Sequence, residues 1–238
     1  MNERLSEGAY ESLHTRAVDC ALRAVPEATP HFGEVEAAEA PEVLARHVAD
    51  AVRRALQDQP HHLRLEKINS LLAQVTDDAD VVVALEQLLA LAIPEAPGGV
   101  HRLVVRPATP LSDVALLTNT RGEPSLGAEL RAELASADRV DLLCAFIRWH
   151  GIRILADELE TLHNRGVPLR VITTTYRGAT ERRALDELVR KFGAEVRIRY
   201  DAQSTRLHAK AWLFRRNSGF DTGYVGSSNL SKSALLDG

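Results

Sequence analysis

Residues 205–234 run Thr-Arg-Leu-His-Ala-Lys-Ala-Trp-Leu-Phe over 205–214, a polar turn over 215–221, then Thr-Gly-Tyr-Val-Gly-Ser-Ser-Asn-Leu-Ser-Lys-Ser-Ala over 222–234. In an extended strand side chains alternate, so His208 and Lys210 share one face while Leu207, Ala209, Ala211 and Leu213 share the other. The second face is the predicted core side and the first the predicted chemical side. Trp212 and Phe214 fall on the side of His208 by parity; one could stack on a base, but strand aromatics are more often core. Tyr224-Val225 predicts a second short strand, and Gly226 to Asn229 a turn before a helix that begins near Ser231. Paired as a hairpin, the two strands would converge His208, Lys210, Ser227 and Asn229.

Upstream of this hairpin, β-branched runs at 100–105, 140–147, 169–174 and 195–200 alternate with helical stretches at 126–135, 152–164 and 180–192. Gly166 and Gly193 stand just past two of the helix ends. Strand, helix, strand alternation predicts right-handed crossovers and an α/β domain with a mixed, largely parallel sheet flanked by helices.

The first 95 residues are different. Apolar positions recur near the 3.6 period over Tyr10–Ala24, Pro41–Gln57, Leu63–Val75 and Asp78–Leu91, predicting four helices. Pro94, Pro97, Gly98 and Gly99 stop the pattern, which places a boundary between an acidic helical region, 1–95, and the α/β domain, 96–238. The formal charge of −4 divides unevenly: 17 acidic and 8 basic side chains lie in 1–95, against 16 and 21 in 96–238. Arginine outnumbers lysine 25 to 4. A basic second half rich in guanidinium forks fits a phosphate-rich partner, although GC-rich codon usage explains the arginine excess equally well.

The chain has 238 residues, 45% of them hydrophobic and 26% charged, enough for a core without staples. Cys20 and Cys144, with no metal-ligand spacing, read as a reduced intracellular pair. No export signal or membrane-spanning run is visible, so the expected location is the cytoplasm.

The His208, Lys210, Ser227 and Asn229 set suits phosphodiester cleavage without a metal. A neutral imidazole attacks phosphorus, Lys210 balances charge on the non-bridging oxygens, and Ser227 and Asn229 donate hydrogen bonds to those oxygens. A second histidine is needed to protonate the leaving alkoxide and then activate water. No carboxylate or histidine cluster is spaced to hold a divalent ion, and no cofactor is expected.

His208-Ala-Lys210 followed by Gly226-Ser227-Ser228-Asn229 resembles the HxK…GSxN signature of the phospholipase D superfamily, over about the last 140 residues. Leu116-Leu117-Thr118-Asn119, Gly122-Glu123-Pro124, Leu142 to Ile147 and Arg206 to Phe214 look like the phospholipase D-like domain near the N-terminus of bacterial superfamily 2 DEAD/DEAH-box helicases. The resemblance implies a nuclease acting on nucleic acid, DNA by preference, rather than on lipid. It also implies two motif copies per site, so a chain with one copy is expected to form a homodimer that joins two His208 side chains. The chain departs from the pattern in two ways. Arg215 stands where the superfamily usually has aspartate, with Asp221 too late to replace it directly, and no GxxxxGK[ST] loop occurs. The chain is therefore expected to be a fragment or stand-alone remnant of a helicase-nuclease, without ATPase activity.

Arg206, Arg215, Arg216 and Lys232 flank the motif and are candidates for contacts to backbone phosphates. His150, His163 and His101 are alternatives for the second acid, and Glu123, Glu129 or Glu195 for orienting the imidazole. His61-His62 lacks partner ligands, and the acidic helical region reads as a packing or protein-interaction module. Two other functions compete: a catalytically silent nucleic-acid-binding module of a helicase, and a phospholipid-acting enzyme, which needs an apolar entry surface not found in the sequence.

Overall fold

A computed structural model describes residues 5–91, 105–118, 124–200, 207–231 and 235. The chain divides into two compact units, Met1–Gln87 and Leu88–Gly238. The boundary expected at Pro94–Gly99 and most of the strand expected over 100–105 lie outside the described residues.

The first unit contains α1 (Arg16–Arg23), α2 (Ala40–Gln57) and α3 (Arg64–Leu72). Thr15 caps α1, its hydroxyl accepting from Val18 N at 3.3 Å, and Pro41 opens α2, where a missing N–H costs nothing. Arg64 Nε donates to the carbonyls of Leu56 and Gln59, at 3.0 and 3.2 Å, and so ties the end of α2 to the start of α3. The helix expected over Asp78–Leu91 does not form. Only a 3₁₀ turn, Asp78–Asp80, is present, and Val81 is already extended. The three valines 81–83 lose rotamer freedom in a helix. In addition, the Asn69 amide pairs with both backbone groups of Val82, at 2.9 and 3.0 Å, which removes them from helical bonding.

In the second unit, α4 (Leu126–Ser136) leads into β1 (Arg139–Cys144), followed by α5 (Trp149–Ile154), α6 (Ala156–Asn164), β2 (Leu169–Thr174), α7 (Arg182–Arg190), β3 (Glu195–Arg199), β4 (Lys210–Arg215) and β5 (Thr222–Val225). The sheet order is β3-β2-β1-β4-β5; β1, β2 and β3 are parallel, and β4 returns antiparallel to β1 and pairs with β5 as a hairpin. Both crossovers step the same way along the sheet, so right-handed connections put their helices on one face. That face is buried: Val140, Leu142, Leu169, Val171 and Phe214 pack under Leu130, Leu134, Leu159, Leu162 and Leu188. Gly166 and Gly193, at φ +68° and +64°, end α6 and α7 in the left-handed conformation that frees the chain to turn into β2 and β3.

One assignment of faces is corrected. On β4 the core side carries Lys210, Trp212 and Phe214, whereas Leu213 on the other side is 43% exposed. The two aromatic rings stack on each other at 5.7 Å on the core side. Tyr224 adds an edge-on contact to Phe214, and Phe214 has the larger apolar surface to hide. Lys210 lies on that side because its long stem packs with the core while its ammonium ends at the open end of the strand.

Candidate active site

Three separate segments meet where β4 begins. Residues 207–209 run alongside the end of β1, with Ala145 N donating to Ala209 O at 3.0 Å and Lys210 opposite Cys144. Gly226 N donates to Lys210 O at 3.2 Å, which starts the Gly-Ser-Ser-Asn turn beside the lysine. The far side of that turn is stitched to the segment after β1: Ile147 bridges Leu230, Leu230 N donates to Phe146 O at 3.3 Å, and Arg148 N donates to Leu230 O at 3.0 Å. Gly151 lets α5 come this close. A Cβ there would lie 2.4 Å from Leu230 O and 2.7 Å from Ser231 N.

Lys210, Ser227 and Asn229 line one open cavity of about 620 Å³, together with Trp212, Tyr224 and residues 109–117. His208 is exposed and is not among the residues that line this cavity; it is tied to it through Lys210. The Lys210 ammonium donates to His208 O at 2.8 Å and lies 3.0 Å from His208 Nδ1. The lysine itself is 8% exposed. Asn229 Oδ1 is buried without a hydrogen-bond partner. The Phe146 ring meets the His208 imidazole edge-on at 5.6 Å.

Behind the cavity, and not foreseen from sequence, Glu133 is fully buried at the centre of a polar cluster. It accepts from Thr222 Oγ1 and Tyr224 OH, both at 2.8 Å, and pairs with Arg216, which also donates to Ser136 Oγ at 2.9 Å. Burial first, and the adjacent carboxylate second, push the Tyr224 hydroxyl far above its ordinary range, so it remains a donor. The only sequence signal is local: Glu129 and Glu133 fall on the same α4 face as Leu130 and Leu134, where a helix normally buries apolar groups.

Several sequence candidates lie elsewhere. Arg215, five residues past Lys210, has the opposite parity and pairs with Asp141 at 3.8 Å on the other sheet face, so it does not join the cavity. Arg216 is buried with Glu133 and is unavailable to a phosphate backbone. Asp221 accepts from Arg216 N at 2.8 Å and fixes the hairpin turn. Glu129 accepts from Ala108 N and Thr109 N, at 3.1 and 3.2 Å, which anchors the segment lining the cavity rather than orienting an imidazole. Glu195 pairs with Arg197. His163, at the end of α6, packs against Gly193 near the opposite end of the sheet, while His150 is exposed in α5. Arg206, Lys232, His101 and Glu123 lie outside the described residues. No helix among the described residues is long and apolar enough to cross a membrane.

An α/β domain with an ammonium, a hydroxyl and a carboxamide around one cavity is suited to a phosphoryl group. Comparison with known proteins gives the class: the family described as cardiolipin synthase, PLD-like domain, matches residues 130–237. Over that stretch the chain is similar to phospholipase D-like domains. Among solved structures, NucT from Helicobacter pylori is 17% identical, with 46% of this chain and 69% of that one covered at a TM-score of 0.36. A likeness of that degree carries no argument about function. No curated protein matches the chain.

Proposed function

We propose that the second unit is a metal-independent phosphodiesterase that cleaves DNA through a covalent phosphohistidine, as a domain of a helicase-nuclease. The observation that carries this reading is a shared cavity lined by Lys210, Ser227 and Asn229, with the Lys210 ammonium 3.0 Å from the ring of the exposed His208.

In the first step a ring nitrogen of His208 attacks phosphorus as the bond to the leaving alkoxide breaks. The alkoxide takes a proton from a general acid. In the second step water attacks the phosphohistidine and gives its proton to that same group, and the P–N bond breaks to restore the imidazole. Lys210 neutralises the non-bridging oxygens throughout, and Ser227 and Asn229 donate to them as charge develops. His208 of a second copy is the general acid, which makes the working unit a homodimer with one shared site. The basic side chains of the second half, with Arg206 and Lys232 close to the motif in sequence, supply contacts to the phosphate backbone. The acidic helical unit is a protein-interaction module.

The test is cleavage of labelled single- and double-stranded DNA in excess EDTA by the wild-type chain and by His208→Ala. Cutting that survives EDTA and vanishes in the variant is the expected outcome. Absence of cutting by both, with salt-sensitive DNA binding retained, would replace this reading with that of a silent DNA-binding module.

A further inference from the structure

The ends of β1, β2 and β3 on the side of the sheet where β4 begins carry aromatic and arginine side chains. Phe146 follows β1, Tyr176 and Arg177 follow β2, and Arg199 with Tyr200 closes β3. Strands β1 and β2 pair from Val140–Leu169 to Leu143–Ile172, and β2 and β3 pair up to Thr174–Arg199, so these residues lie side by side along one edge of the sheet. From His208 as far as Arg177 the contacts are continuous. The imidazole meets Phe146 edge-on at 5.6 Å, and Phe146 stacks on Tyr176 at 6.3 Å with 23° between the ring planes. The Arg177 guanidinium sits 5.6 Å from the centre of the Tyr176 ring, with its Nε donating to Tyr176 OH at 3.3 Å.

Phe146 and Tyr176 are only partly buried, Arg177 is exposed, and Tyr200 is 73% exposed. Arg177 also has φ +59°, a left-handed conformation that a residue with a Cβ seldom adopts, and it is the only such non-glycine among the described residues. The turn is held in this shape from below: Tyr176 N donates to Thr174 Oγ1 at 3.1 Å, and that hydroxyl donates to Arg199 O at 3.1 Å. Strain maintained at an exposed turn beside a candidate nucleophile fits a binding role better than a packing role.

We propose that Phe146, Tyr176 and Tyr200, with Arg177 and Arg199, form a stacking track for the unpaired bases of single-stranded DNA, leading from the scissile phosphate at His208 across the strand ends. The proposal rests on the phosphodiesterase reading for its substrate, and it specifies which form of DNA that site takes. Bases in a duplex have both π-faces covered by neighbours, so rings gain nothing by approaching them, whereas an unpaired base offers its face to Phe146 or Tyr176. Arginines between the rings meet the phosphates that link successive bases.

Binding is measured by fluorescence anisotropy in the His208→Ala background, so that affinity is read without turnover. The probes are a labelled single-stranded oligodeoxynucleotide, the same backbone with abasic sites, and a duplex. Tyr176→Ala should weaken binding of the intact single strand by about 5- to 150-fold, the range one base–aromatic stack supplies, and Tyr176→Phe should stay within about two-fold of its parent. The abasic strand and the duplex should bind the Tyr176→Ala variant as they bind its parent. Equal affinity of Tyr176→Ala for the intact strand overturns the track, as does an equal loss on the abasic strand or on the duplex. Failure of the chemistry is separate: a wild type that cuts nothing in EDTA but shows the ring-dependent loss keeps the track and discards the phosphohistidine step.

Discussion

Strand β4 buries two cations on one face, Lys210 at its start and Arg216 just past its end, and surrounds them differently. Arg216 faces the Glu133 carboxylate and also donates to Ser136, Thr222 and the Phe220 carbonyl. Its charge is matched, and its fork is spent on the fold. Lys210 is as deeply buried, yet among the described residues its polar partners are the His208 ring and the His208 carbonyl, all of them neutral acceptors when the imidazole is unprotonated. A buried ammonium without a carboxylate, opening on a cavity, is where the proposed function seats the phosphate.

The sharpest way to break that contrast is to replace each cation with methionine. Lys210→Met should cost little stability, since it removes a charge with no anionic partner, while DNA cleavage falls by about 10³-fold or more through loss of transition-state charge balance. Arg216→Met should do the reverse at the level of the fold. It leaves the Glu133 carboxylate buried without its cation, a cost of about 3 to 5 kcal/mol by urea denaturation. If Lys210→Met unfolds as readily as Arg216→Met, both cations are structural and the proposed phosphate pocket is lost.

How much of this was legible in sequence follows from which interactions are local. The strands and helices around β2 fall where the periodicity put them, because Leu169, Val171 and Leu188 are patterned by burial and Gly166 and Gly193 by backbone sterics. The nearness of Lys210, Ser227 and Asn229 follows from hairpin pairing, which adjacent strands with a turn between them encode. The inward side of β4 is not legible in sequence, because alternation offers Leu207, Ala209, Ala211 and Leu213 as an apolar face, while the competing claim of Trp212 and Phe214 is settled only by what packs above them. The Glu133 cluster joins residues about 90 positions apart, and the Tyr176 turn depends on hydroxyl bonds to the end of β3, so neither leaves a pattern within a short window. Periodicity misled over Asp78–Leu91, where one asparagine side chain took the backbone groups a helix needed.

A finer test concerns how Asn229 is delivered to the cavity. Gly151→Ala places a Cβ against the Leu230–Ser231 peptide, backbone that can yield only by moving, and Asn229 is the next residue. Overpacking of this kind costs about 1 to 3 kcal/mol of stability, and a shift of the carboxamide by a fraction of an ångström should lower the cleavage rate by about 10- to 100-fold. The distinguishing readout is the ratio of the two effects. Correction of stability at lower temperature should leave the rate defect in place, whereas a rate that recovers with folding would mean that the turn position is not limiting.

The smallest expected effect belongs to the other face of the sheet, where the partly buried Asp141, among more exposed arginines, is the counterpart of Glu133. It accepts from Arg170 at 2.5 Å, with Arg139 at 3.5 Å and Arg215 at 3.8 Å. The hydrogen bond from Arg170, reinforced by Arg139 against a partial desolvation cost, holds its carboxyl below the ordinary aspartate value. A depressed folded-state pKa means that the ionised group stabilises the fold in full above the unfolded value, about 3.9, and that this contribution disappears as pH falls through the lower folded value. Asp141→Asn should therefore reduce stability at pH 7 by only about 0.5 to 1 kcal/mol, since its arginine partners are partly solvated, and the gap from wild type should close as pH falls through the lowered folded-state value. Added salt should shrink the same gap at neutral pH, because exposed pairs are screened and the Glu133–Arg216 pair is not. A loss as large as that of Arg216→Met, or one indifferent to pH, would show that the two faces of the sheet do not differ in the way their burial indicates.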